Sequence, residues 1–286
     1  MNKLTLTRRP ERGDSAVMIS LLSGRSGVGK SVLALNLAER LATQGHKLLL
    51  VDADLLGGNL HVLCNRACDY GLGEFADSEL SLPEAVTEIM PGVDLLGGLR
   101  NGLSLDPDDP KAARELVRSL LVQSGQYDFI LVDHCAGVSQ SAIQTAVRSD
   151  INLIVLNPEF SSITDGYGLF KLCTKKDRGL DCRLLVNRAE DSAEADYIFR
   201  KFVALAERFL GRVPTFMGHL HESHSIKQSI AAQQVLAQIA PECRALLTLD
   251  SMAARLAEKL SAETVVSLES ASDVDQKSFT IADIRE

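Results

Sequence analysis

Eight consecutive residues carry the clearest chemical signal in the chain. Gly24-Arg25-Ser26-Gly27-Val28-Gly29-Lys30-Ser31 satisfies G-x-x-x-x-G-K-[ST]. Glycines let backbone N–H groups close around phosphate oxygens. The lysine reaches β- and γ-phosphates, and the serine hydroxyl ligates Mg2+. A helix opening at this loop adds the positive end of its dipole, which puts Val32 at the binding end as well. A glycine-rich turn that binds nothing is the plain alternative. A phosphate loop also needs acidic partners. Asp133 ends the run FILVD, where a metal-side carboxylate belongs. Asp52 and Asp54 end the run KLLLVDAD, two apart, and so project to one side of a strand. One of the two suits holding a metal-bound water and the other orienting an attacking water. An ordinary strand-end aspartate is the alternative for each.

These residues stand at the ends of short apolar runs. Ala16–Ser23, Lys47–Val51 and Phe129–Val132 read as buried strands, and the glycines follow the first at once. Further strands are predicted at 93–96, 152–156, 183–186 and 213–217. Helical spacing covers 32–43, 110–124, 141–148, 162–176 and 192–210. Strand–helix alternation of this kind predicts an α/β fold: a doubly wound, mostly parallel sheet with helices on both faces.

The chain has 286 residues, 45% apolar, which is enough for one substantial core. Its net charge of −8 argues against a chain that coats nucleic acid. No apolar run approaches the roughly 20 residues of a membrane span. Residues 1–14 read as a flexible leader with no signal-type apolar segment, and six dispersed cysteines fit reduced thiols, so the expected location is the cytoplasm. The expected organisation is a nucleotide-binding domain over 15–240, a helix over 241–262 packed on it, and an acidic flexible tail over 263–286.

The motifs together resemble the MinD/ParA group of P-loop ATPases, and within it the flagellar-number regulators of the FlhG/FleN type. Leu35-Asn36-Leu37-Ala38 is similar to the group's helix opening. Val51-Asp52-Ala53-Asp54-Leu55 with Asn59-Leu60 resembles its switch I, and Ile130-Leu131-Val132-Asp133 with Ala136-Gly137 its Walker B strand and switch II. Asn157-Pro158-Glu159 with Ser162-Ile163-Thr164-Asp165 and Tyr167 resembles a segment typical of the flagellar members. Leu185-Val186-Asn187-Arg188 matches a strand end that contacts adenine in relatives. The resemblance implies ATP/ADP and Mg2+ as ligands, with phosphate held by Gly24 to Val32. It implies Ser31, Asp52 and Asp133 on the metal side, Asn187 and Arg188 at the base, and Asp54 positioning water, with Lys30 and Arg25 as further catalytic residues. It also implies a homodimer formed around ATP, slow hydrolysis, and a regulatory partner such as an FlhF-like GTPase or an AAA-class activator. The inner membrane or cell pole is the implied peripheral location.

Several positions depart from the group pattern. Arg25 stands in place of the signature lysine that crosses to the partner's phosphates. Ser26 replaces a glycine and would cost free energy if φ were positive there. His134-Cys135 replaces Thr-Pro in switch II, His221-Glu222-Ser223 replaces the P-x-D adenine loop, and the N-terminal residues carry no D-Q-A segment. His219, His221 and His224 read as exposed histidines without a ligand set, and Cys64-x3-Cys68 is a weak metal pattern. Leu249, Met252, Ala253, Leu256 and Leu260 share one face of the last helix, which lacks the basic flanks and aromatics of a membrane anchor, so weak or no membrane association is expected. Three functions stay open on these residues: a hydrolysing dimerisation switch, a nucleotide-binding scaffold or antiactivator with little turnover, and a partitioning ATPase. DNA is the least expected partner, given the acidic charge.

Overall fold

The computed structural model describes residues 16–54, 57–76, 80–98 and 109–277. In chain order its elements are β1 (Val17–Leu22), α1 (Lys30–Thr43), β2 (Leu48–Ala53), α2 (Leu60–Leu63), α3 (Leu72–Ala76), α4 (Leu82–Ala85), β3 (Thr87–Met90), β4 (Val93–Leu96), α5 (Pro110–Gln123), β5 (Phe129–His134), α6 (Gln140–Ala146), β6 (Ile151–Leu156), α7 (Phe160–Lys176), β7 (Cys182–Ala189), α8 (Ser192–Leu210), β8 (Thr215–His221), α9 (His224–Ala232), α10 (Leu236–Ile239) and α11 (Arg244–Lys277). The predicted leader, 1–14, lies outside the described residues.

The strands form one sheet in the order β3-β4-β2-β5-β1-β6-β7-β8. All neighbours are parallel except β3 against β4. The doubly wound, mostly parallel prediction is therefore met. Alternate residues of each inner strand serve opposite cores, as the period of two requires. Val17, Ile19 and Leu21 of β1 pack in the layer with Leu33 and Leu37 of α1 and Leu249 and Leu256 of α11. Met18 and Leu22 point the other way, into layers under α5 and under α7 and α8. With both faces covered, polar groups gather where the chain leaves the sheet. Such sites form at the carboxyl ends of parallel strands, beside the point where strand order reverses. Here that point is β1, between β5 and β6.

Some boundaries differ from expectation. β8 runs over 215–221 rather than 213–217, because Pro214 cannot donate to a ladder. Its second half, with Gly218 at φ +130°, hides behind polar His219 and His221. β3 escapes the sequence reading because Thr87-Glu88-Ile89-Met90 is half polar and only Ile89 of it is buried. The Pro91-Gly92 turn that pairs it to β4, with Gly92 at φ +80°, is the signal that marks it. α9 and α10 had no predicted counterpart. The last helix was expected to end at residue 262, with a flexible tail from 263; it continues to Lys277, and no Gly or Pro follows Pro241 to stop it. Residues 278–286 lie outside the described residues. No helix among the described residues is long and apolar enough to cross a membrane.

One side chain ties α1 to the start of α10 within the same layer. Asn36 of α1 accepts from the buried Leu236 N–H at 2.8 Å and donates to Val32 O at 2.8 Å. Asn36→Ala leaves a buried donor unpaired and should cost about 1–3 kcal/mol. A urea titration monitored by circular dichroism measures it, with an unchanged midpoint as the refuting result.

Candidate functional site

The loop between β1 and α1 builds the site from backbone conformation upward. Gly27 and Gly29 sit at φ +79° and +90°, the left-handed region that side chains avoid. A Cβ at Gly29 would fall 2.4 Å from Asn187 Nδ2, and one at Gly24 would fall 2.3 Å from the Asp165 backbone. Ser26 is not among the residues with positive φ, so the expected strain at that replaced glycine is absent. Gly29 caps α1, and Leu33 N–H donates to its carbonyl at 3.0 Å.

Lys30 begins α1, is 8% exposed, and acts electrostatically on Asp133, which is 1% exposed at the end of β5. Burial pushes the Asp133 carboxyl up to about 7, although the Lys30 ammonium and a hydrogen bond from Ser31 pull the other way. Asp133 Oδ1 is buried with no hydrogen-bond partner. A bare carboxylate oxygen beside a serine hydroxyl is a hard, oxygen-rich donor set, and a cation there would end the cost of leaving it unpaired. These residues fit Mg2+.

Asp52 and Asp54 do different work from each other. Asp52 Oδ2 accepts from Leu60 N–H at 3.1 Å and its Oδ1 from Asp54 N–H at 3.3 Å. Burial raises its carboxyl to about 6 against those bonds. A Cβ at Gly58 would press on the same carboxylate at 2.9 Å. Asp52 therefore clamps the loop between β2 and α2, a task the sequence reading, which put it on the metal side, did not assign. Asp54 lies past the strand end, where its Oδ1 accepts from Gly57 N–H at 3.0 Å. It lines a cleft of about 460 Å³ with Ser26–Leu33, Asn187 and Arg188. That volume lies in the usual range for small-ligand sites.

The far wall of this cleft comes from β7, β8 and α9. Asn187 Nδ2 donates to Val28 O at 2.7 Å, seating the end of β7 on the phosphate loop. Arg188, at φ +61°, donates from Nε to Glu222 at 2.7 Å, and Lys227 reaches the other Glu222 oxygen at 2.6 Å. His221, Glu222 and Ser223 all line the cleft, with the Glu222 carboxylate engaged by two cations. Apolar Leu220, Ile226, Ile230 and Leu249 complete the wall.

Arg25 pairs within its own chain. Its Nη1 lies 3.1 Å from Glu159 Oε2 and also donates to Ser161. No local signal links residue 25 to residues 159 and 161; the strand order brings them together, and the sequence reading missed this pairing, the Asn36 tie and the Glu222–Lys227 pair. In switch II, Gly137 N–H donates to Ser23 O at 2.9 Å. His134 is fully buried, bonded to Ser20 Oγ at 3.1 Å, and burial lowers it to about 3, so it stays neutral. Cys135 touches Ser139, and burial raises its thiol. His219 and His221 meet at 3.3 Å, but among the described residues no group of three or more metal-ligating side chains forms, and all six cysteines are free.

The family described as CobQ/CobB/MinD/ParA nucleotide binding domain matches residues 19–285. Antiactivator FleN of Pseudomonas aeruginosa is 26% identical over 239 residues, 84% of this chain and 85% of that protein. Flagellum site-determining protein YlxH of Helicobacter pylori is 28% identical over 249 residues, 85% of this chain and 82% of its own length. Among solved structures, the septum site-determining protein MinD of Pyrococcus horikoshii, complexed with Mg-ADP, superposes with a TM-score of 0.71 at 23% identity, covering 87% of this chain and 98% of that one. That likeness shows the fold.

The raised Asp133 carboxyl sets a pH dependence. An unfolded aspartate titrates near about 3.9, so the folded chain holds the extra proton up to about 7. The stability this proton contributes is complete below about 4 and is lost as pH rises through 7. Asp133→Asn keeps the shape without the ionisation. In the absence of nucleotide and metal, it should melt above wild type at pH 8, and the gap should narrow as pH falls to 5. A gap independent of pH would show that Asp133 is not buried as described.

Proposed function

The chain belongs to the CobQ/CobB/MinD/ParA nucleotide-binding family, and we propose that it is an ATP-driven dimerisation switch regulating the number or placement of flagella or of another polar apparatus. The single observation that supports this best is the phosphate loop with Lys30 and Ser31 beside an Asp133 oxygen that lacks a partner. The similarity to FleN and YlxH supports the flagellar setting.

In this reading the backbone around Gly27–Gly29 binds phosphate, Lys30 balances the charge that develops on the γ-phosphoryl oxygens, and Asp54 orients the attacking water. Mg2+, when bound through Ser31 and Asp133, neutralises phosphate charge. Asn187, held on Val28, and Arg188 border the base, and the wall at Leu220 and Ile226 excludes water from it. Asp52 holds the loop that carries Asp54. The active state is a homodimer, and the product is a signal to a regulatory partner.

A second reading has one observation in its favour. Arg25, at the position of the group's signature lysine, is tied to Glu159 and Ser161 of its own chain. A cation held in place this way favours a nucleotide-binding scaffold or antiactivator that turns over little.

Steady-state Mg-ATP turnover of the pure chain, with Lys30→Ala as the blank, tests the switch. Turnover should exceed the blank and rise more than linearly with protein concentration. Asp54→Ala should keep ATP binding and dimerise without turnover; a wild-type rate in that variant would remove Asp54 from the mechanism. Glu159→Gln separates the two readings. Freeing Arg25 should raise turnover severalfold if its cis pairing limits the rate, and an unchanged low rate leaves the scaffold.

A further inference from the structure

We propose that His219 and His221 form a chelating site for Zn2+ at the carboxyl end of β8, on the rim of the nucleotide cleft. The two stand as His-x-His on one strand, so both side chains leave the same face, opposite buried Leu220. The ladder to β7 is irregular on either side of the pair, between Leu184 and Leu185 and between Asn187 and Ala189. Gly218 at φ +130° and Arg188 at φ +61° stand at those two breaks. Such irregularities increase the local twist and re-aim side chains. Here the two imidazoles meet edge to face, with ring centroids 4.7 Å apart at 88° and Nε2 3.3 Å from Nε2.

That separation is the one a tetrahedral ion requires. Two zinc–imidazole bonds of about 2.0–2.1 Å, at the tetrahedral angle, place their nitrogens about 3.3–3.4 Å apart. The right angle of octahedral Mg2+ at similar bond lengths would call for about 2.9 Å. Imidazole nitrogen is also a ligand for zinc rather than for magnesium. The rings are set up for the task. His221 Nδ1 lies 3.3 Å from the Glu190 carbonyl, which can only accept, so Nδ1 carries the hydrogen and Nε2 keeps its lone pair. A backbone carbonyl on the far nitrogen is the usual support of a metal-ligating histidine. His219 ligates once its own proton moves from Nε2 to Nδ1. Burial holds His219 below the usual imidazole range, with His221 and Arg244 acting the same way and Asp196 and Asp191 opposing. It is therefore neutral at pH 7, the form that binds metal.

Both rings are half-buried, and His221 lines the nucleotide cleft. Among the described residues no third metal-ligating side chain joins them. Glu222, next in the chain, is committed to Arg188 and Lys227. The remaining positions of a tetrahedral ion are thus left to water, the mark of an open site rather than a closed structural one. A zinc ion there would brace the strand end that carries Glu222, and through it the wall of the cleft. Metal binding at this pair requires no nucleotide, so it stands apart from the ATPase reading.

Competition titration of the full chain against a chromogenic zinc chelator, without nucleotide and in excess Mg2+, tests the site, with Co2+ as a spectroscopic probe. A single zinc ion should bind per chain. His219→Ala and His221→Ala should each weaken it by at least what loss of a supporting residue costs, about tenfold, while His224→Ala should not. Bound Co2+ should show the intense visible absorption of a four-coordinate ion without the near-ultraviolet band of thiolate ligation. His219→Cys keeps a ligand, so it should retain the metal and gain that thiolate band, a result that a misfolded variant would not give. Absence of zinc binding in the wild type overturns the proposal, as does equal affinity in the wild type and both alanine variants. A thiolate band in the wild-type Co2+ complex overturns it too, by placing the ion on cysteines such as Cys64 and Cys68. So does a His219→Cys complex that lacks the band.

Discussion

A lysine and an aspartate are buried together at the carboxyl edge of a sheet covered on both faces, and the site is organised around the cost of keeping them there. Burying a charge is expensive unless it is paired and hydrogen-bonded. Lys30 and Ser31 only partly offset the desolvation of Asp133, whose carboxyl remains near neutrality with one oxygen unpartnered. The glycines follow from this constraint. To set backbone N–H groups facing the same small volume, the loop must turn through left-handed conformations at Gly27 and Gly29 and pass close to Asp165 and Asn187. No side chain fits at Gly24 or Gly29 without moving those neighbours.

Among the described residues, four segments that leave the sheet near this point are tied to the phosphate loop or to its acidic partner. β7 reaches it through Asn187 and Val28, switch II through Gly137 and Ser23, and α7 through Glu159 and Arg25. The segment after β2 hangs on Asp52, which acts electrostatically on Asp133. Each tie is one or two bonds of modest worth. Their common terminus is the phosphate loop and Asp133.

Departures from the group pattern take on physical meaning in this frame. Ser26 costs nothing in backbone strain, because the glycines that need positive φ are Gly27 and Gly29. His134 extends a buried polar chain through Ser20 to Ser149, and its imidazole is neutral where a second buried cation near Lys30 would be costly. Arg25 keeps the charge of a lysine, but its fork of donors engages Glu159 and Ser161 together. The Glu222 carboxylate, flanked by Arg188 and Lys227, is committed to its own wall.

What could be read from the chain alone was whatever depends on neighbours in sequence. A phosphate loop is a run of eight residues, a parallel strand a short apolar run, and an amphipathic helix a period of 3.6, so the loop, the order of strand and helix, and Asp133 at a strand end were all legible. Asp52 was legible as a site residue but not in its task, because its partners are the backbone N–H groups of a loop whose path depends on the fold. The pairing of Arg25 with Glu159, the contact of Asn187 with Val28 and the tie from Asn36 to Leu236 span 134, 159 and 200 residues. No spacing rule reaches that far. They exist because β1 lies between β5 and β6, and that order is the sum of many weak packing preferences across both faces of the sheet, none of which belongs to any one stretch of sequence.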